Sequence, residues 1–445
     1  MARALHSEFV SSDVEHTPRR QGSALLAAAG VVAVGLLVAS GVALVLRPSH
    51  GSTGGAGSND TEDMGFNGSA VAGTDGSTPA SGGSTPGSGS AGTSDVSTST
   101  VPFTSAPADG KTSVDRRLVS SFVVTNADLQ PKSIVASDTG LFFAQNMMYR
   151  HNVMVFDHAG NVVAKIPDNV DLAAYGVANG VKAQGSPVEA AFTPDKSAVY
   201  VSNYKMYGPG YHPTADDNCN RGTWDDSYVY KINTSTFHID KVIRTGAVPK
   251  FLAVTPDGSR LLVSDWCGFD VTVIDTATDT PITRIPVGRH PRGIAITKDS
   301  RYAYIAVMGE AKILKIDLSS NKVVSSVGGS GPTPRHLLLS PDDRYLYVSN
   351  NLQNQVRKID LQANAEVALA HTGSETRSMA MAPDGLSLYV VNYQDGTVSK
   401  VRTSDMKILQ TLQSGLHPVG ITYDPTTRQV WVANYAGTLH VFVDQ

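Results

Sequence analysis

The chain has 445 residues and a formal net charge of −4, from 40 acidic and 36 basic residues. Nine of the acidic and five of the basic residues precede residue 112, so residues 112–445 hold 31 of each and are neutral. A neutral domain lacks the broad basic surface that drives affinity for nucleic acid, and this argues against a nucleic-acid-binding protein.

The first predicted element is a membrane span. Residues 23–46 contain no charged residue, and at 1.5 Å per helical residue they are long enough to cross a bilayer of about 30 Å. A cleaved signal peptide, the alternative, would have a shorter apolar region followed by polar sequence. With Arg19 and Arg20 directly before the span, we expect an uncleaved anchor, a cytoplasmic tail over 1–22 and the rest of the chain on the extracytoplasmic side of the cell membrane.

Residues 47–112 are predicted to be a disordered linker. They consist mainly of Gly, Ser, Thr and Ala and cannot bury enough apolar surface to fold. A flexible coil of this length has a root-mean-square reach of roughly 45 Å. Such a tether could hold a folded domain away from a membrane.

Seven copies of one pattern follow, each a turn and then an alternating apolar strand. They are SDTGLFFAQN (137–146), TPDKSAVYVSN (193–203), TPDGSRLLVSD (255–265), TKDSRYAYIAV (297–307), SPDDRYLYVSN (340–350), APDGLSLYVVN (382–392) and DPTTRQVWVAN (424–434). The last four begin about 42 residues apart, a period typical of β-propeller blades with four short strands and no helix. We therefore predict an all-β fold, a seven-bladed β-propeller over residues 113–445.

The two ends of this region are predicted to close the ring. After the second strand of the last repeat only 438–443 remains, so the seventh blade lacks its outer strand. Residues 117–124 (RLVSSFVV) have strand composition and no blade of their own. We expect them to supply that strand, which removes an exposed sheet edge.

The repeats resemble those of the YVTN-repeat β-propellers, a family that includes lactonase-like members. The resemblance lies in the segments VYVSN, LYVSN, VVN and WVAN after (T/S/A)PDG-like turns, in the third strands VTVIDTAT and ILKIDLSS, and in GRHPRGIAIT and GLHPVGITY. It covers roughly residues 115–445. Relatives include extracytoplasmic binding proteins, surface-layer proteins, and lactonase-like or lyase enzymes, so the resemblance implies the fold without selecting a function.

The two cysteines are predicted to form a disulfide. Cys219 lies in the insertion 205–226 between the second and third strands of blade 2, and Cys267 lies in the matching connection of blade 3. Matching loops of adjacent blades lie side by side on one face. A disulfide also agrees with an oxidising compartment, whereas the alternative is two buried thiols.

Basic residues recur directly after the Pro that begins each first strand (Thr376 replaces it in blade 6). Five of the seven positions are basic, namely Lys132, Lys250, Arg292, Arg335 and Arg377. Equivalent places converge in a propeller, so we predict an anion-binding mouth of the central channel. Glu189 is the acid that we expect nearby. The alternative is a rim of solvated charges.

A second aligned position follows the Asn or Asp that ends each second strand. Four of its residues are aromatic: Tyr204, Trp266, Tyr393 and Tyr435. The preceding Asn and Asp residues are expected to be structural, because they cap turns. The aromatic side chains either pack on a neighbouring blade or face a ligand.

These features predict a binding or scaffolding module for an anionic small molecule, a cell-wall polymer or another extracytoplasmic protein. One alternative is a lactonase-like hydrolase or lyase, with His290, His336 and His417 as candidate bases beside Glu189. Another is a structural cell-surface protein. A single acid in the ring gives no basis for a metal site, and no cofactor is predicted.

Overall fold

The computed structural model describes residues 106, 108–177, 179–212, 219–220 and 222–445, and the backbone of a short strand at Asp95–Val96. The predicted membrane span over 23–46, the tail before it and most of the predicted linker lie outside these residues. Within the part that is described, no helix is long and apolar enough to cross a membrane.

Residues 118–444 form seven antiparallel sheets of four strands, and this confirms the predicted propeller. The first strands of neighbouring sheets contact one another, which puts them at the centre. In order from first to fourth, the strands are Ser133–Ala136, Leu141–Asn146, Asn152–Asp157 and Val162–Pro167 in blade 1; Pro187–Phe192, Ala198–Asn203, Asp226–Asn233 and Ile239–Ala247 in blade 2; Pro249–Val254, Arg260–Asp265, Asp270–Asp275 and Thr280–Pro286 in blade 3; Pro291–Ile296, Tyr302–Val307, Lys312–Asp317 and Lys322–Val327 in blade 4; Pro334–Leu339, Tyr345–Asn350, Gln355–Asp360 and Ala365–His371 in blade 5; Thr376–Met381, Ser387–Asn392, Thr397–Arg402 and Ile408–Gln413 in blade 6; and Pro418–Asp424, Gln429–Asn434, Thr438–Asp444 and Leu118–Thr125 in blade 7.

Shorter elements lie between and beside the blades. Among the described residues, 3₁₀ turns lie at Ser113–Asp115, Leu172–Tyr175, Met308–Glu310 and Asn351–Gln353, and a two-stranded ribbon joins Asn169–Asp171 to Lys182–Gln184 before blade 2. Asp95–Val96 pairs with the outer strand of blade 1, opposite Lys165 and Ala164. The backbone N–H of Ala106 donates to Thr426, so ordered contacts with the propeller begin inside the predicted linker.

The turn between first and second strands follows from the repeated Thr/Ser-Pro-Asp motif. In blade 3 the hydroxyl of Thr255 donates to Asp257 at 2.6 Å, and the same carboxylate oxygen accepts the N–H of Ser259 at 2.9 Å. Gly258 follows with a φ of +73°, which glycine adopts without strain. The hydroxyl–carboxylate bond recurs in blades 2, 4 and 5. The local sequence therefore sets the reversal of the chain in these four blades.

Neighbouring blades bury one another's faces. One apolar cluster, for example, joins Tyr200 and Val229 of blade 2 to Leu252 and Val263 of blade 3. A four-stranded sheet has two apolar faces, and only neighbours on both sides can cover them.

The ring closes where it was predicted to close, with a shift of one residue. Leu118–Thr125 pairs antiparallel with Thr438–Asp444, and Leu118 lies opposite Asp444. Both the ammonium of Lys400 and the carboxylate of Asp444 are fully buried, with Nζ and Oδ1 2.5 Å apart. Lys400 also donates to the carbonyl of Arg116 at 3.0 Å, and Tyr389 donates to Asp444 at 2.5 Å. These bonds tie blade 6 to both strands of the closure.

Candidate functional site

One backbone hydrogen bond, repeated in six blades, brings the two aligned positions together. The residue after the second strand donates its N–H to the carbonyl of the residue just before the Pro or Thr that begins the first strand. The pairs are Tyr204 to Ser186, Trp266 to Val248, Met308 to His290, Asn351 to Thr333, Tyr393 to Glu375 and Tyr435 to His417. Because the basic position lies two residues beyond that carbonyl, basic and aromatic positions become neighbours at one end of each blade.

The Asn residues that end the second strands hold this end of the blade in place. Asn203 is fully buried, its Oδ1 accepts the N–H of Ser186 at 3.0 Å, and its Nδ2 donates to the carbonyl of Tyr228 at 3.2 Å. Asn350 makes the same two kinds of bond, to Thr333 and Ser330. The predicted structural role of these Asn residues is confirmed.

Four of the five predicted basic residues lie against the predicted aromatic residues. The distances from the charged group to the ring centroid are 5.4 Å for Lys132 and Tyr435, 4.9 Å for Lys250 and Tyr204, 5.0 Å for Lys250 and Trp266, 5.9 Å for Arg292 and Trp266, and 3.5 Å for Arg377 and Tyr393. Each aromatic ring therefore contacts the cation of its own blade or of the next blade. Such cation–π contacts compensate a buried cation for part of the hydration that it has lost.

The aromatic side chains chiefly pack inside the protein. Tyr204, Trp266 and Tyr393 are 4%, 1% and 6% exposed, and only Tyr435 is half-buried. Since the protein's own cations lie over these rings, little ring surface is left for a ligand. Of the two possibilities open from the sequence, the geometry favours packing for the first three.

The disulfide is confirmed and lies in the same cluster. Cys219 and Cys267 are bonded, with their Cα atoms 5.6 Å apart. Both are buried beside Tyr204 and Trp266, and Trp224 of the insertion meets Tyr204 edge-on, with centroids 5.8 Å apart. The insertion of blade 2 is thereby fastened to the face that carries the basic residues.

The basic residues lie on or directly before the innermost strands of their blades and are largely buried. Lys132, Lys250, Arg335 and Arg377 are each at most 6% exposed, and Arg292 is half-buried. Burial raises the pKa of Glu189 to about 7, while the Ser133 hydroxyl, Arg292 and Lys132 oppose this rise. Arg292 belongs to blade 4 and Lys132 to blade 1, so cations from opposite sides of Glu189 act on this blade 2 carboxyl.

A second carboxylate, Glu375, was missed by the sequence alignment. Its Oε2 lies 3.2 Å from Nη2 of Arg377, and its Oε1 accepts a bond from Gln394 at 3.0 Å. Glu375 occupies the place just before the first strand, whose carbonyl makes the repeated backbone bond. Aligning that place as well would have found it.

The three candidate histidines pack against other rings. Burial and the charges of Arg292 and Arg335 lower the pKa of His336 to about 3, and its Nδ1 accepts the N–H of Met379 at 3.2 Å. His290 stacks on Trp266 with centroids 4.4 Å apart. His417 stacks on Tyr393 at 4.6 Å, and its pKa is lowered by burial and by Arg377. A base needs a ring nitrogen that can take a proton near neutral pH, and His336 fits this poorly.

Rings from two non-adjacent blades meet at His336. This imidazole, from blade 5, meets the ring of Phe251 from blade 3 edge-on, with centroids 5.3 Å apart. In the part of the chain that the structure describes, no three His, Cys, Asp or Glu side chains are grouped as metal ligands would be.

Comparison with known proteins supports the fold alone. No family model matches the sequence, and no curated protein is significantly similar to it. Among solved structures the chain is similar to one described as Kuenenia stuttgartiensis hydrazine synthase, with 18% identity and a TM-score of 0.57. The similarity covers 72% of this chain and 97% of that one.

Proposed function

We propose that this chain is a membrane-anchored, extracytoplasmic propeller of the YVTN-repeat type, which binds an anionic ligand at the channel mouth. The observation that supports the proposal is that Arg292 acts electrostatically on both Glu189 and His336, together with Lys132 on the former and Arg335 on the latter, while Lys250 shares the ring of Trp266 with Arg292. A scaffold that serves only as a spacer has no need to bury like charges together.

Charge compensation favours an anionic ligand. Removing cations from water costs free energy that only opposite charge or strong hydrogen bonds recover. Glu375 lies beside Arg377, and burial raises the pKa of Glu189 to about 7. A carboxylate or phosphate placed among the cations would add opposite charge, and a guanidinium group binds either anion through two parallel N–H donors.

The nature of the contacts narrows the ligand class. Because Tyr204, Trp266 and Tyr393 are buried under their cations, recognition would rest on charge and hydrogen bonds more than on stacking. This supports a small acid, a sugar acid or an anionic wall polymer over a nucleobase. The disulfide supports export, and the apolar stretch 23–46 with the polar linker supports tethering to the outer side of a membrane.

The same geometry favours binding over catalysis at this mouth. His290 and His417 are stacked on aromatic rings, and the low pKa of His336 makes it a weak proton acceptor. A hydrolase or lyase would need a base beside the reacting carbon.

The proposal is tested by titration calorimetry of the full chain with inorganic phosphate, glucuronate and a sugar phosphate. Replacing Arg292 and Arg335 together by Ala should abolish binding of whichever anion the wild type takes. The melting temperature should stay close to that of the wild type, because the loss of packing is offset by relief of repulsion.

The matched control replaces Arg344 and Arg402 by Ala. Arg344 pairs with Asp360 and Arg402 pairs with Asp405, and both arginines lie outside the two aligned positions. The control should bind the anion normally. Unchanged binding by the Arg292/Arg335 variant would show that the basic residues form only a charged rim.

A further inference from the structure

The seam where the ring closes holds a cavity of about 510 Å³. It lies between the fourth strands of blades 6 and 7, and so on the outside of the propeller, away from the channel. Leu118, Leu412 and Phe442 give it apolar walls, and Arg117 and Gln413 add polar groups. Its volume falls within the range of small-molecule sites.

A serine and a histidine meet in this cavity. Oγ of Ser120 lies 2.7 Å from Nε2 of His440, although 320 residues separate them. Ser120 lies opposite Phe442 across the closure pairing, so His440, two residues away, projects from the same face. A β-bulge follows at Ser121, and bulges commonly re-aim a side chain beside an active site.

The imidazole of His440 is held by two further contacts. It stacks on Phe442 with centroids 4.2 Å apart and an interplanar angle of 18°. Burial lowers its pKa, and a hydrogen bond to the backbone of Ser414 opposes that shift. Because Nε2 faces Ser120, Nδ1 is the ring nitrogen available to Ser414, and in the tautomer with its proton on Nδ1 the imidazole presents an unprotonated Nε2 to the hydroxyl. A hydroxyl, a base within hydrogen-bond reach and a third group that orients the base form the arrangement of an activated nucleophile.

We propose that Ser120 and His440 act as nucleophile and general base in the hydrolysis of small carboxylic esters within this cavity. The reaction would be separate from anion binding at the channel mouth and would not depend on it.

The reaction requires only the ester and water, and no cofactor. Oγ of Ser120 attacks the ester carbonyl carbon as its proton passes to Nε2 of His440. The bond to the alcohol oxygen then breaks, and the alcohol leaves with that proton. A water molecule next gives a proton to Nε2 while its oxygen attacks the acyl group on Ser120. The acid departs, and the proton returns to Oγ.

The cavity also indicates the class of substrate. Leu118, Leu412 and Phe442 provide an apolar surface that suits a short acyl chain. Arg117 and Gln413 line the same cavity, and their side-chain N–H groups would be the donors for the oxyanion, since the backbone N–H of Arg117 donates to Gln445. Esters of short-chain acids are therefore the expected substrates.

The test uses the full chain, purified in detergent, with p-nitrophenyl acetate and butyrate as substrates. Ser120→Ala and His440→Gln should each lower kcat/KM by at least about 100-fold, the usual effect of losing a nucleophile or its base. The matched control is Ser121→Ala, which changes the exposed neighbour at the bulge and should hydrolyse both esters like the wild type.

Covalent labelling keeps the test independent of folding defects in the variants. A fluorophosphonate probe should label the wild type on the peptide containing Ser120, as read by mass spectrometry. It should label the Arg292/Arg335 variant equally, because that change leaves the seam intact. Label on another residue, no label at all, or normal ester hydrolysis by Ser120→Ala would overturn the proposal.

Discussion

Asp168 follows the fourth strand of blade 1, where its carboxyl is 2% exposed and lies 3.8 Å from Nδ1 of His151. Burial raises the pKa of this carboxyl from 3.8 to about 8. The folded protein therefore keeps a proton on Asp168 that the unfolded chain releases near pH 4. The stabilisation from this group is complete below about pH 4 and is lost as the pH rises towards 8.

Asp168→Asn should remove that pH dependence, because an amide stays neutral. Near pH 4 the variant and the wild type should have similar free energies of unfolding. By pH 8.5 the variant should be the more stable, by at most about 6 kcal/mol at 1.36 kcal/mol per pKa unit. Urea unfolding at both pH values measures the difference.

The control for this comparison is Asp240→Asn, which alters an exposed carboxyl in the outer strand of blade 2. It should change the free energy of unfolding little at either pH. If Asp168→Asn instead shifted stability equally at pH 4 and 8.5, the carboxyl would not be the protonated group described here.

Whether a single residue could be predicted from the sequence depended on whether its place repeats. The basic and aromatic positions recur in successive blades, so their alignment was visible, and the backbone bond between them explains it. The burial of Trp266 under Lys250 and Arg292 was not visible, because it depends on packing between blades. The contact between Asp168 and His151 does not repeat from blade to blade. Ser120 meets His440 only because strands from the two ends of the propeller pair where the ring closes.

At the scale of elements, turn chemistry made the strands predictable. In blades 2 to 5 the turn between the first and second strands is closed by its own Thr or Ser and Asp side chains, so this reversal followed from local sequence. The disulfide could be predicted from the sequence because matching loops of neighbouring blades lie side by side. The pairing of Asp95–Val96 with blade 1 did not follow, since composition alone predicts only a linker there.

The insertion of blade 2 provides the prediction at this scale. Replacing Cys219 and Cys267 together by Ser should lower the free energy of unfolding by about 2–4 kcal/mol, because the bond closes a loop of 48 residues. Hydrogen exchange should rise within 205–212 and 219–226, while the second strands of blades 2 and 3 keep their protection.

Reduced wild-type protein should behave like the double Ser variant in the same denaturation experiment. Equal stability of the oxidised and reduced wild type would mean that packing of Trp224 and Tyr204, rather than the bond, holds the insertion.

On the scale of the whole molecule, stability depends on joining strands that are far apart in sequence. Leu118–Thr125 and Thr438–Asp444 complete blade 7. Upstream of them, Asp109 bonds both Arg116 and Arg428, which extends the contact between the two ends of the propeller. Each blade needs a neighbour on both sides, so opening this one seam exposes a face of blade 6 or blade 1 and weakens the entire ring.

The buried ion pair of Lys400 and Asp444 is the point at which that seam can be tested. Asp444→Ala would leave the ammonium of Lys400 buried without its carboxylate and Tyr389 without its acceptor. We expect a loss of about 3–5 kcal/mol in the free energy of unfolding, the usual cost of breaking a buried pair from one side. Asp405→Ala, which breaks the exposed pair with Arg402 in the same blade as Lys400, should cost far less because solvent screens those charges. Hydrogen exchange of Leu118–Thr125 should increase only in the Asp444 variant, since that strand shares the seam. Equal losses in the two variants would mean that the closure draws its stability from strand pairing alone.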